Sequence, residues 1–247
     1  MSYLPNKLKG GIAVLAAIAM LPLTASAQSY DWEGFYAGAT LGGAVYGVEA
    51  SDLTDTFTND TPGVETLVAS YGISGQYNWL PYDDNFMLGA EVDATFGLLN
   101  EELVAFNAAS TNGLEFINSW DSVISLRARA GMTSGKVMTF VAGGPAFANA
   151  SYTMKNLDPG FTDCANLVCA EVSETLTGVS VGAGLEYAFR DDWVGKFEFV
   201  HYAMPTVSAP TLLQQATPSC GAAQEDECSV SFKSSATLFR FGVSYKF

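Results

Sequence analysis

The chain ends on LFRFGVSYKF, Leu238 to Phe247, and the alternation in that stretch decides the fold. From Phe239 the odd positions are Phe239, Phe241, Val243, Tyr245 and Phe247, and the even ones Arg240, Gly242, Ser244 and Lys246. A period of two makes a β-strand with one apolar and one polar face. In a soluble sheet the apolar face is covered by a second protein layer; in an outer-membrane barrel it meets lipid.

The opposite end indicates the compartment. MSYLPNKLKGGIAVLAAIAMLPLTASA combines Lys7 and Lys9, an apolar stretch from Gly11 to Leu23, and the small-x-small pattern Ala25-Ser26-Ala27, which together read as a cleaved signal peptide over residues 1–27. The mature chain, 28–247, is then about 220 residues, enough for one barrel, one sandwich or two small domains. Beyond residue 27 the longest apolar run, Val137 to Ala150, is shorter than the ~18 residues a membrane helix needs. Yet 49% of the residues are hydrophobic, only 15% are charged and mean hydropathy is positive, a balance that lipid-facing strands explain.

Alternation recurs in eight segments, 34–47, 64–79, 86–98, 116–132, 137–152, 174–189, 194–204 and 234–247. Each meets the ~9–11 residues of a tilted membrane strand. Three connections are short and turn-like, at 80–85, 133–136 and 190–193; four, at 48–63, 99–115, 153–173 and 205–233, are long and polar. Strict alternation of short and long connections predicts an eight-stranded antiparallel up-and-down transmembrane β-barrel, with three short periplasmic turns and four long external loops.

Charges test that reading, because Arg or Lys facing lipid at mid-bilayer costs ~2–4 kcal/mol. Leu88, Ala90, Val92, Ala94 and Phe96 oppose Glu91 and Asp93; Trp120, Ile124, Leu126, Ala128 and Met132 oppose Asp121, Arg127 and Arg129. Glu186 stands opposite Val179, Val181, Leu185, Tyr187 and Phe189, Lys196 and Glu198 opposite Phe197 and Phe199, and Arg240 and Lys246 opposite the closing aromatics. Ten charges, five of each sign, are thus expected inside. Without Lys7 and Lys9 the chain has nine basic residues against 26 acidic ones, a net −17, which argues against nucleic acid as a partner. That surplus falls in turns and loops, at Glu49, Asp52, Asp55, Asp60 and Glu225-Asp226-Glu227 among others. Trp79, Phe86, Phe189, Trp193, Tyr245 and Phe247 beside the short turns, and Phe96, Trp120 and Tyr152 near the long loops, suggest two interfacial belts.

These residues resemble the small opacity-type outer-membrane β-barrel family, also labelled porin-family or outer-membrane immunogenic proteins. WEGFYAGATLGG, from Trp32, is similar to the family's opening strand, and SLRARAGM (Ser125 to Met132), GKFEFVHY (Gly195 to Tyr202) and FGVSYKF (Phe241 to Phe247) to its central, penultimate and final strands. The resemblance covers the strands, not the loops. It implies eight strands and recognition by the barrel-assembly machinery through Phe247 and the aromatics before it, Tyr245 included. Pro145 in AGGPAFA and the loop cysteines depart from the pattern, and Pro145 is expected at a bulge or near the rim.

The interior charges are expected to form a paired plug, since eight strands enclose a lumen just wide enough for their own side chains. Gly38, Gly42, Ser70, Gly72, Ser74, Gly182 and Gly184 leave room for a narrow wet cavity and keep an ion path open as the alternative. Cys164, Cys169, Cys220 and Cys228 are disulfide candidates; local bridges 164–169 and 220–228 are favoured among three pairings, and a cross-loop pairing would tie two loops together. No histidine lies near them to suggest a metal site. His201, the one histidine, falls on the lipid parity near the outer rim, so no catalytic triad can be assembled and no cofactor is implied. The expected function is therefore a non-enzymatic outer-membrane protein with a structural and surface-interaction role. Outer-membrane lipid and lipopolysaccharide surround it and a host or surface ligand meets its loops; the alternative is a small porin for ions or small solutes.

Overall fold

A computed structural model describes residues 30–52, 63–81, 85–106, 113–156, 168–210 and 229–247. Nine strands form one antiparallel sheet: β1 (Gly34–Asp52), β2 (Gly63–Trp79), β3 (Phe86–Phe106), β4 (Gly113–Ser134), β5 (Val137–Asn156), β6 (Val168–Ala188), β7 (Trp193–Ala203), β8 (Val207–Pro210) and β9 (Ser229–Lys246). Eight of them close a ring in the order β1-β2-β3-β4-β5-β6-β7-β9, sealed where Tyr36 of β1 pairs with Lys246 of β9 and Leu41 with Phe241. Among the described residues the short β8 pairs only with β9, from Val207↔Phe232 to Pro210↔Ser229.

All eight expected segments are strands, but most run further toward the long-loop end than one-sided alternation suggested. β1 continues to Asp52, β3 to Phe106 and β5 to Asn156, while β6 starts at Val168 and β9 at Ser229. Once an antiparallel register is set, its hydrogen-bonded ladder can continue beyond the bilayer, where the outer face no longer has to be apolar and one-sided alternation is not required. At the other end the turns are tight. Gly135 of the β4–β5 turn takes φ 57°, a left-handed conformation that L side chains avoid.

The outer wall is apolar, with Leu41, Ile73, Val92, Leu126, Met132, Val141, Val181 and Phe241 all exposed. A continuous exposed apolar surface of this kind fits hydrocarbon rather than water. On β9 it climbs from Phe247 to Phe239, roughly 20 Å at ~3.3 Å per residue and ~40° tilt. Exposed Phe35, Tyr77, Trp79, Phe86, Tyr187, Phe189, Trp193, Tyr245 and Phe247 gather toward the short-turn end.

Three irregularities shape the ring. The β3–β4 register jumps from Phe96↔Ser122 to Leu99↔Trp120, and the β4–β5 register jumps at the same place, so Asp121 is looped out of both ladders. Gly97 makes the matching kink in β3 with φ 75°. At Pro145 the β4–β5 ladder skips from Ser125↔Ala146 to Ala128↔Gly143 without a change of register, while Pro145 stays paired with Val179 of β6. The proline therefore lies on the outer wall in mid-strand, at neither a bulge nor the rim. Its missing N–H simply opens the ladder toward β4.

The ring is closed along the short-turn part of the wall and forks toward the long-loop end, where exposed Tyr71 and Val179 end their ladders. The β2–β3 ladder stops at Tyr71↔Phe96 and the β6–β7 ladder at Val179↔Ala203. Beyond those points the described strands form two sheets, β8-β9-β1-β2 and β3-β4-β5-β6.

Candidate functional site

The lumen is filled in three layers. In the middle, β3 supplies Glu91 and Asp93, β4 Arg127 and Arg129, β6 Glu186, β7 Lys196 and Glu198, and β9 Arg240; all eight are buried. Alternation turns each of these side chains inward because the neighbouring residues on its strand face outward. Four acids and four bases then share a space buried from the surface, where charges are weakly screened.

Their contacts form one network. Arg127 donates to Glu198 at 2.7 Å and to Glu91 at 2.9 Å, and Lys196 Nζ reaches Glu91 Oε1 at 2.6 Å. Arg240 donates through Nε to Glu198 at 2.9 Å and through Nη1 to Asp93 at 2.6 Å. Arg129 donates to Glu186 at 2.6 Å and to Asn78 Oδ1 at 3.1 Å, and its Nε lies 3.3 Å from Glu91. Neutral donors add to the shell: Ser125, Thr95 and Tyr202 donate to Asp93, and Gln76 to Glu186. Burying an ion costs several kcal/mol, so such a layer is tenable only when charges balance and lone pairs are met. Here they balance four to four.

Two of the inward glycines are closely surrounded. A Cβ on Gly182 would meet Phe199 O at 2.8 Å, Arg127 Nη1 at 3.1 Å and Glu198 Oε1 at 3.3 Å; one on Gly184 would meet the Phe140 ring at 2.6 Å. That ring lies 4.1 Å from the Arg129 guanidinium carbon and 5.2 Å from Lys196 Nζ, a cation–π floor under the ion pairs. The space expected to be wet at these two positions is occupied by neighbouring side chains.

Apolar layers, which the sequence reading did not include, cover both sides. Toward the long-loop end Tyr46, Val48, Trp120, Leu176, Val200, Phe232 and Leu238 form a buried cluster with alanines of β5. Trp120 Nε1 donates to Tyr152 Oη at 3.3 Å, and Tyr152 Oη is 2.6 Å from Ser234 Oγ. Trp120 and Tyr152 are therefore core residues, not members of an outer aromatic belt. Toward the short-turn end Trp32, Tyr36, Met87, Met138 and Phe140 make the second cluster. Trp32 folds under the lumen before β1 starts, donating from Nε1 to Gly135 O at 3.0 Å and accepting at its carbonyl from Tyr36 Oη at 3.0 Å. Sequence reasoning did not see this floor, although the Trp32–Tyr36 spacing and the apolar inner parity of β5 carried the signal.

Two of the ten expected interior charges lie elsewhere. Asp121 is exposed, because the bulge that removes it from the ladders reverses the parity of β4 and turns Trp120 inward instead. It stands beside Ser122, which is level with Asn149 and Thr175 in an outward polar row, where Asn149 donates to Ser122 at 3.4 Å and Thr175 to Asn149 at 2.9 Å. Lys246 sits at the short-turn rim and binds Asp31 Oδ2 at 3.0 Å. Burial pushes the Asp31 carboxyl upward, but the hydrogen bonds from Lys246 and the Glu33 amide outweigh it and hold the group below the usual aspartate value.

Tyr245 and Phe247 are on the outer wall, Tyr245 packing edge-on against Trp193 at 5.3 Å and Phe247 at 5.2 Å. His201 faces outward, its Nδ1 2.9 Å from Thr237 Oγ1. Residues 1–27, expected to be a signal peptide, and Cys164, Cys220 and Cys228 lie outside the described residues; Cys169 stands in β6 where the β5 register steps from Met154↔Ala170 to Lys155↔Val168.

Comparison with known proteins agrees with the geometry. The chain is 26% identical over 186 residues to a 31 kDa outer-membrane immunogenic protein of Brucella melitensis, covering 73% of this chain and 74% of that protein. Among solved structures it resembles Neisserial surface protein A, with a TM-score of 0.38 and 12% identity over 87% of this chain and 97% of the other. It also resembles the outer membrane protein OprG of Pseudomonas aeruginosa, with a TM-score of 0.45 and 10% identity over 90% and 99%. The outer membrane protein beta-barrel domain family matches residues 13–247, and the chain belongs to that family, as a closed eight-stranded barrel of the outer membrane.

Proposed function

We propose that this barrel is a non-conducting, non-enzymatic membrane anchor that carries a surface for interactions outside the cell. The observation that supports it is the three-layer lumen: a balanced ion network whose members lie on five strands, closed by apolar clusters on both sides. Ions crossing it would have to separate several buried pairs at once, each costly to break. A substrate would find the interior acids already committed to arginine and lysine. In this reading the partners are the lipid and lipopolysaccharide against the apolar wall, the barrel-assembly machinery reading Tyr245 and Phe247, and a ligand at the outer end.

Planar-bilayer recording of the purified protein tests the lumen. The expected trace stays at baseline across a wide voltage range. Steady unitary currents would replace the anchor with a small porin for ions or small solutes.

A further inference from the structure

We propose that residues 30–33 form a latch that locks the β1–β9 seam from beneath and engages only once the ring has closed. The proposal goes beyond the anchor reading and does not rest on a closed lumen. Every other pair of neighbours in the ring is joined by the chain that runs between them, whereas β1 and β9, the first and last strands, are held by noncovalent contacts alone. At the short-turn end their ladder finishes with Tyr36↔Lys246 and with the Phe247 amide donating to Phe35 O at 3.0 Å. The segment before β1 does not run straight into it. Gly34 takes φ 131°, which L side chains rarely adopt, and the chain turns there, so that buried Trp32 joins Met87, Met138 and Phe140 under the lumen.

The latch has a foot on each side of the floor. Trp32 Nε1 donates at 3.0 Å to Gly135 O, 103 residues away in the turn between β4 and β5, and β5 stands four places from β1 in either direction around the ring of eight. Asp31 is the other foot. Its Oδ2 accepts from Lys246 Nζ at 3.0 Å, 215 residues away, its Oδ1 accepts from the Glu33 amide at 3.0 Å, and the same ammonium lies 5.4 Å from the centre of the Tyr30 ring. Neither foot exists in an open sheet. Lys246 reaches Asp31 only when β9 lies beside β1, and Gly135 faces Trp32 only when the sheet has curled through half a turn. Contacts made after the transition state slow unfolding and leave folding unchanged, so the latch sets how long the barrel persists rather than how fast it forms. Trp32 carries most of this effect, because Asp31 is exposed and an exposed ion pair contributes little.

The test uses the full chain in detergent micelles, with unfolding and refolding rates read by gel mobility after urea jumps. Trp32→Ala should unfold about a hundredfold faster and refold within about twofold of the unaltered protein. Amide hydrogen exchange should speed up at the seam, in residues 36–41 and 241–246, more than where residues 88–92 pair with 126–130. If Trp32→Ala does not show the gel mobility of a folded barrel, two milder changes take its place. Trp32→Phe removes the Nε1 donor and keeps an aromatic ring, and Gly34→Ala puts a Cβ 3.3 Å from Lys246 Cε at a φ that strains it. Each should raise the unfolding rate and the seam exchange by about threefold or more. Refolding slowed as much as unfolding is accelerated would place the docking before closure and overturn the latch. Unchanged unfolding in these variants, or seam exchange rising no more than that of the β3–β4 ladder, overturns it equally, whereas bilayer currents bear on the anchor alone.

Discussion

Lys196 on β7 reaches Glu91 on β3 at 2.6 Å, and the two strands stand opposite each other in the ring of eight. A salt bridge between opposite walls means that side chains span the lumen at that height. Arg240 and Asp93, 2.6 Å apart, repeat the crossing from β9. The barrel is thus braced across its diameter as well as around its circumference, and the brace is electrostatic.

Glu91 is the member of that brace with the most cationic neighbours: Arg127, Lys196, Arg129 and, at 3.9 Å, Arg240. Replacing it by Gln leaves buried cations in excess, and loss of one partner of a buried ion pair costs ~3–5 kcal/mol. Glu91→Gln should lower the urea midpoint of the barrel in micelles accordingly. Adding Lys196→Met should recover part of the loss, because the second change removes a charge left without its partner.

Asp93 and Asp121 make a matched pair for testing the β4 bulge. Asp93 is buried against Arg240 and Ser125, whereas Asp121 is exposed. Asp93→Asn should destabilise by about 3 kcal/mol or more, and Asp121→Asn should stay within ~0.5 kcal/mol. Equal losses in the same unfolding assay would return Asp121 to the interior.

Gly184 lies against the Phe140 ring, with no room for a side chain between them. Gly184→Val should displace that ring from beneath Arg129 and cost ~1–3 kcal/mol through overpacking. Thermal unfolding followed by gel mobility reads this out. An unchanged midpoint would mean that the lumen at this level has free space after all.

Trp32 closes the short-turn end. Trp32→Ala removes a fully buried ring and its bond to Gly135 O, a change that typically costs ~3–5 kcal/mol. The accompanying signal is loss of a blue-shifted component of tryptophan emission.

The Asp31–Lys246 contact has a definite pH sign. A carboxyl held below its unfolded value contributes its full stability above the ordinary aspartate value and loses it progressively as the pH falls from that value through the depressed one. Carbon-detected NMR of Asp31 should therefore show a midpoint below that of a free aspartate. In Lys246→Met it should move upward, because the largest favourable partner is gone.

Most of the barrel was legible along the chain because hydrocarbon is an unforgiving solvent. Within the membrane each outward position must be apolar, so the eight alternating segments and the placement of Glu91, Asp93, Arg127, Arg129, Glu186, Lys196, Glu198 and Arg240 followed from parity. Asp121 and Trp120 did not, because a bulge shifts parity by one and leaves no mark in composition. Pro145 looked like a rim residue for the same kind of reason: sequence shows a missing N–H but not which neighbouring strand it faces.

The sequence alone determined that the chain crosses the outer membrane as eight tilted strands, since alternation against lipid is a one-dimensional property. Only the tertiary structure decided that the interior charges pair with one another between two apolar clusters, that Trp32 folds beneath them, and that the ring forks at Gly97. Those outcomes depend on which residues on distant strands meet at one height. Register, bulges and stagger set that height, and they arise when the sheet closes on itself.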